Sequence, residues 1–227
     1  MKTIEWTFWQ LADSAFPAGG FAHSAGLESA WRAGLVSEIG SLETFLRTRI
    51  LESTQGIVAF LVAAHSGPDP LEQVDRWCDA FLSNHVANRA SRAQGRAFLT
   101  AAEAAFGIAE LGELRERVVD ASLAGHQAPL LGRTAALLSL PCGRTVEWFL
   151  YTQLRDVVSA AIRLNIIGPL AGQSLISHLG RYVEIQAEQA VDRRVAEATQ
   201  TSPVSMFTQT MDQVGAAGPA RVSRATA

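Results

Sequence analysis

The chain has 227 residues, 48% of them hydrophobic, and carries 19 basic against 22 acidic side chains for a formal net charge of −3. That length and apolar content suffice for a sizeable buried core, whereas the balanced charge argues against a nucleic-acid binder, which shows a clear basic excess. Two cysteines with 63 residues between them make neither a disulfide framework nor a zinc signature, and the first ten residues lack an apolar leader core, so a cytoplasmic, soluble protein is expected.

In chain order the apolar residues recur at helical spacing. Within 42–64, Leu42, Phe45, Leu46, Ile50, Ile57, Phe60 and Leu61 share one stripe, with Ser41 as the predicted N-cap and Glu43 and Arg47 paired at i,i+4 on the outer side. Asp69-Pro70-Leu71-Glu72 reads as the next helix start, with Asp69 as cap and Pro70 at the first helical position. The stripe that follows, Leu71, Val74, Trp77, Cys78, Phe81, Leu82 and Val86, is predicted to continue through Leu99, Ala102 and Phe106 with a break near Gly95. Residues 143–166 form another helix through Val146, Phe149, Leu150, Leu154, Val157, Val158, Ala161 and Ile162. Gly168-Pro169 ends it, and a further helix is predicted to run to about Arg181, with 182–198 helical behind a weaker face. The least polar stretch, 157–176, carries Arg163, Asn165, Pro169 and Gln173, so no membrane span is expected. No run alternates at period two. The expected architecture is therefore all-α: one bundle of about eight to ten helices over 1–198, followed by a Thr-, Ser-, Gln- and Gly-rich tail over 199–227 expected to be flexible and ordered by a partner.

The most unusual segment is Pro17 to Glu28. A proline, two adjacent glycines and a third glycine before a helix start suit either a tight helix–helix turn or a shaped surface. Ala22-His23-Ser24-Ala25-Gly26 mimics a nucleophile elbow, but no strand precedes it, which that motif requires. Cys78 and His85 are seven apart and share a helix face on the predicted stripe, yet two ligands do not complete a metal site; neither a metal site nor a cofactor is expected. His126 reads as a helix-start residue. Lys2 is the one lysine among the basic residues, and Arg89, Arg92 and Arg96 fall on one helical face beside Gln94 and Gly95. Arg155 and Arg163 flank Ser159 on another. Arginine stripes of this kind serve either as solvated faces or as interface contacts. No carboxylate pair and no nucleophile–base pair stands out.

Trp9 to Glu28, reading Trp-Gln-Leu-Ala-Asp-Ser-Ala-Phe-Pro-Ala-Gly-Gly-Phe-Ala-His-Ser-Ala-Gly-Leu-Glu, resembles the N-terminal signature of the UreF family of urease accessory proteins. Three further blocks match that family in order: Ser91 to Gly95, His126 to Gly132, and Ser159 to Gly168; Glu197 to Pro203 also matches. The wording around Gly19 to Ser24 and Asn165 to Leu170 is nearest to plant-type members, and the resemblance covers about residues 6–203. It implies an all-α, non-catalytic scaffold, a homodimer that binds UreD (also called UreH), recruits and regulates the GTPase UreG, and serves nickel delivery to the urease apoprotein. Contact with partners then falls to Pro17, Gly20, Phe21, His23, Ser24, Gly26, Leu27 and Glu28, and to Arg92, Gln94, Gly95, Arg155 and Arg163. The family's basic, aromatic terminal anchor is replaced here by a chain ending Arg224-Ala225-Thr226-Ala227, which leaves tail-mediated binding as the least supported carry-over. The competing reading is a small helical enzyme with a pocket around His23, Ser24 and Glu28.

Overall fold

Val58-Ala59-Phe60-Leu61 is apolar on every face, and a helix apolar all round has to be enclosed. In the computed structural model, which describes residues 3–17 and 24–199, this run opens α4 (Val58–Ser66), and all four residues are buried. Its largest neighbour is α8 (Gln127–Leu137), whose Ala128, Leu130, Leu131, Thr134 and Ala135 are buried as well. The two can lie close because α8 presents Gly132 at the crossing; a Cβ there would overlap the carbonyl oxygen of Leu61. On its other side α8 packs against α6 (His85–Phe106).

Around this centre run α1 (Ile4–Ala12), α2 (Leu27–Arg32), α3 (Ile39–Gln55), α5 (Leu71–Phe81) and α7 (Ala109–Asp120). Two long helices complete the bundle, α9 (Cys142–Arg163) and α10 (Pro169–Ala190), before a short 3-10 turn at Val195–Glu197. The helix pair α9–α10 packs along its length and α10 also lies on α3. The described residues hold ten α-helices and no strand, in agreement with the all-α expectation. One contiguous apolar cluster runs from Phe8 to Ala190. Among the described residues no helix is long and apolar enough to cross a membrane. The predicted flexible tail, 199–227, lies outside the described residues beyond Thr199.

Four expectations about element ends need correction. Helix α3 begins before Ser41: Glu38 is the N-cap, and Ser41 serves as its reciprocal partner, accepting from the Glu38 N–H at 3.1 Å. Helix α5 is capped by Pro70 rather than Asp69. The long stripe after Leu71 breaks at 82–84 rather than at Gly95, because the Asn84 side chain accepts from the N–H groups of Val86 and Ala87 and starts a new helix. Gly95 stays inside α6, where a mid-helix glycine costs about 1 kcal/mol and is retained for a close contact described below. Finally, α10 passes through Arg181 without interruption, since Leu175, Leu179, Val183, Ala187 and Ala190 hold one buried face against α9 and α3; its far end looks weak in sequence only because the buried residues there are alanines.

Candidate functional site

The chain leaves α1 through a turn closed by Asp13, whose carboxylate accepts from the Ala15 N–H at 2.8 Å. Phe16 then turns inward against Phe98 and Phe106, at ring separations of 5.9 and 6.4 Å. Pro17 is exposed. The expected contacts at Gly20, Phe21 and His23 lie outside the described residues. Where description resumes, the Ser24 carbonyl accepts from Leu27 at 3.0 Å, and Gly26 takes φ 85° to start α2, a left-handed value that costs glycine little. Leu27 is fully buried and spends its side chain on the core. Glu28 points outward and pairs with Arg32 at 2.6 Å.

Arg155 does two things at once. Its Nη1 donates to the Ala12 carbonyl at 2.7 Å, so a cation closes the C-terminal end of α1, where the helix dipole favours one. Its Nε and Nη2 donate to Asp156 Oδ1 at 3.1 and 2.9 Å. Burial nevertheless pushes the Asp156 carboxyl above its ordinary range, with Arg155 opposing that rise. Beside this latch is a cavity of about 200 Å³, walled by the 13–17 turn, by Phe98, Gln127 and Leu131, and by Trp148, Thr152, Arg155 and Asp156 of α9. Pro17 and Arg155, 138 positions apart in sequence, meet at this cavity. Ser24, Gly26, Leu27 and Glu28 are not among its walls, and Arg163 sits exposed at the last turn of α9, beyond it. The outer face of α1 is apolar and uncovered, with Trp6 55% and Trp9 66% exposed and their rings in edge contact at 6.2 Å.

The Ser91–Gly95 and His126–Gly132 blocks meet where α6 crosses the start of α8. A Cβ at Gly95 would overlap the Gly125 carbonyl oxygen, so glycine is needed for the approach. The N–H groups at the start of α8 have no helical partner of their own. Asp75 of α5, itself buried, accepts from Gly125 at 3.0 Å and His126 at 2.8 Å, and Ser91 Oγ accepts from Gln127 at 3.2 Å. The His126 ring is wholly buried, with Nδ1 3.1 Å from Ser91 Oγ and Nε2 3.0 Å from Asp79 Oδ1. Because Ser91 Oγ already accepts from Gln127, its own hydrogen is available to Nδ1, and the Nε2 proton then goes to Asp79. The Asn88 amide and the His126 ring hold the Asp79 carboxyl below its usual range. His126 is thus a helix-start residue, as expected, and also the pin of a three-helix junction. Though serine, histidine and aspartate line up here, the imidazole has no exposed surface for a substrate to reach.

Gln94 is half-buried beside Gly95 on α6, and Arg92 is exposed with its charge near Asp79. Arg96 folds back to donate to the Leu123 carbonyl at 3.0 Å. Cys78 is fully buried on α5, where burial pushes its thiol well up, while His85 is exposed at the start of α6; the two do not form a shared ligand face. Among the described residues no group of three His, Cys, Asp or Glu is placed to hold a metal. Sequence reasoning missed Asp75 and Trp148. Each sits inside an apolar stripe at a position that gives no local sign of a polar task.

The family model UreF matches residues 36–180, which takes in the junction and, on α9, Arg155 and Asp156. The chain is 38% identical over 204 residues to urease accessory protein F of Oryza sativa subsp. indica, covering 88% of this chain and 78% of that one. It is 36% identical over 209 residues to urease accessory protein F of Arabidopsis thaliana, with 88% and 85% covered, and 32% identical over 182 residues to the urease accessory protein UreF of Mycobacterium bovis, with 79% and 82% covered.

Proposed function

This chain belongs to the UreF family of urease accessory proteins, and on that premise we propose that it acts in urease maturation as a non-catalytic, cytoplasmic scaffold. It binds UreD (UreH), recruits and regulates the GTPase UreG, and works as a homodimer to bring nickel to the urease apoprotein. The observation that carries this reading is the identity to urease accessory protein F of rice across most of both chains. The geometry is consistent with a docking body. Buried junctions hold the helices rigid, the Trp6–Trp9 face of α1 is uncovered, and the half-buried Glu28 reaches the surface to pair with Arg32. Rigid presentation keeps the ordering cost of association low.

The test is complementation in cells that express urease and lack this gene. Glu28→Ala and His23→Ala are expected to keep wild-type helix content by circular dichroism and to lower both urease activity and nickel per urease. Pull-down of UreD or UreG is expected to weaken with them. Unchanged activation and unchanged pull-down in both variants would remove these residues from the partner surface. Turnover of a substrate by the purified chain alone would replace the scaffold with the enzyme reading.

A further inference from the structure

Arg89, Arg92 and Arg96 are exposed along one side of α6, and the exposed His85 and Thr100 extend the same row at either end. Positions three and four apart on a helix lie about 5–6 Å from each other, so the three arginines form a line about 10 Å long. From Ala80 to Ala102 the sequence holds no acidic residue, so this stretch of α6 offers them no carboxylate at i,i+3 or i,i+4. Arginine is treated differently elsewhere in the molecule. Among the described residues nine arginines outside α6 form ion pairs with carboxylates. Arg89 and Arg92 form none with any described residue, and Arg96 gives its Nη2 to the Leu123 carbonyl, a neutral acceptor. Asp79, whose carboxyl Arg92 helps to hold low, is already hydrogen-bonded to Asn88 and His126. Like charges at these spacings weaken a helix, and here the described residues leave that repulsion unrelieved.

We propose that this face of α6 is the docking surface for an acidic helical segment of a protein partner, whose carboxylates at i, i+4 and i+7 lie opposite Arg89, Arg92 and Arg96. Side chains fan outward from a helix, so three guanidiniums strung over about 10 Å meet a row of anions rather than a single phosphate. A carboxylate is the anion that the guanidinium fork matches in a protein, and arginine is enriched among the residues that carry binding energy at interfaces. A polyanion charged along its whole length is opposed by the chain's net charge of −3, whereas a segment with a few matched carboxylates meets mainly the stripe. Such a surface chiefly speeds encounter and selects the partner. The proposal deepens the scaffold reading and rests on it for the existence of a protein partner. Its test uses a synthetic peptide, so its failure is read separately from urease complementation.

The test is fluorescence anisotropy of the full chain with a dye-labelled, alanine-rich helical peptide of about 20 residues carrying glutamates at i, i+4 and i+7. In about 50 mM salt this peptide is expected to bind at least about tenfold more tightly than its glutamine counterpart, and the preference is expected to collapse in about 1 M salt. Arg89→Glu with Arg92→Glu, at two exposed positions without hydrogen-bond partners among the described residues, is expected to abolish the preference and to create one for the same peptide with lysines. Arg181→Glu with Arg194→Glu makes the same change in net charge elsewhere and is expected to keep at least about half of the preference, because screening confines exposed charges to their neighbourhood. Equal binding of the glutamate and glutamine peptides overturns the proposal, as does an equal loss in both charge-reversed proteins. A DNA duplex that binds more tightly than the glutamate peptide overturns it in favour of a nucleic-acid face. Self-association of the chain that is lost with Arg89→Glu and Arg92→Glu overturns it in favour of a second copy. The wild-type comparison of the two peptides stands even where a charge-reversed protein fails to fold.

Discussion

The α6–α8 junction and the end of α1 treat buried polarity in opposite ways. At the junction Asp75, Ser91 and His126 all find partners between 2.8 and 3.2 Å, and the helix start they serve is sealed from solvent. At the end of α1 a latch arginine spends three of its five N–H donors on Ala12 and Asp156 and borders a cavity, and the buried indole N–H of Trp148 finds no acceptor. Two carboxylates carry the same contrast. Asp79 is held low by hydrogen bonds from Asn88 and His126, whereas Asp156 is pushed up by burial despite its guanidinium neighbour. A region that satisfies its polar groups gains rigidity from them, whereas one that leaves a buried donor unmet carries its desolvation cost.

The largest effect expected is at the closest approach. Gly95→Val places side-chain atoms on the Gly125 carbonyl and should destabilise by about 3 kcal/mol or more, read as a lowered urea midpoint or loss of soluble protein. Gly180→Ala in α10, with open space around its Cβ position, should instead stabilise by about 0.5–1 kcal/mol. A glycine effect equal at both sites would dissolve the idea of a tight junction. Next comes Asp75→Ala, which leaves the Gly125 and His126 N–H groups buried and unpaired, at about 2–4 kcal/mol by urea denaturation. Glu28→Ala, which breaks one exposed pair, should stay within about 0.5 kcal/mol.

The smallest and sharpest effect is in the pH dependence. A carboxyl held low in the fold contributes stability that is present above its unfolded pKa near about 3.9 and lost as pH falls through the folded value. That is the case for Asp79, and for Glu72, held low by Arg117 across α5 and α7. A carboxyl pushed up, as Asp156 is, contributes stability below its unfolded pKa that is lost as pH rises through the folded value. Relative to wild type, Asp79→Asn should therefore cost more at pH 7 than at about pH 3, while Asp156→Asn should compare more favourably at pH 7 than at about pH 3. Urea midpoints across that range would show slopes of opposite sign; slopes of the same sign would mean that the two regions do not differ.

Much of this was open to sequence reasoning, and the residues show where it stopped. The stripe from Leu71 to Cys78 places α5, and the blocks around Gly95 and His126 stand out by their matching order. Nothing in the neighbourhood of Asp75 says that its carboxylate caps a helix 50 residues away, because that need arises only when the start of α8 is buried against α5. Ser41 looks like a cap and acts as the cap's partner, since the choice between neighbouring caps depends on which extra residues the core draws into the helix. Gly95 looks like a breaker, because helix propensity registers the cost of a missing side chain but not the contact that its absence permits.

By itself, then, the sequence determined the all-helical class, the approximate helices and the family, because those depend on apolar spacing and on the order of short blocks along the chain. Only the tertiary structure decided that His126 is a buried pin, that Arg155 closes α1 and joins Pro17 at a cavity, and that Trp148 is left with an unmet donor. Those outcomes depend on which side chains from distant helices reach the same few ångströms, and a local pattern does not encode that.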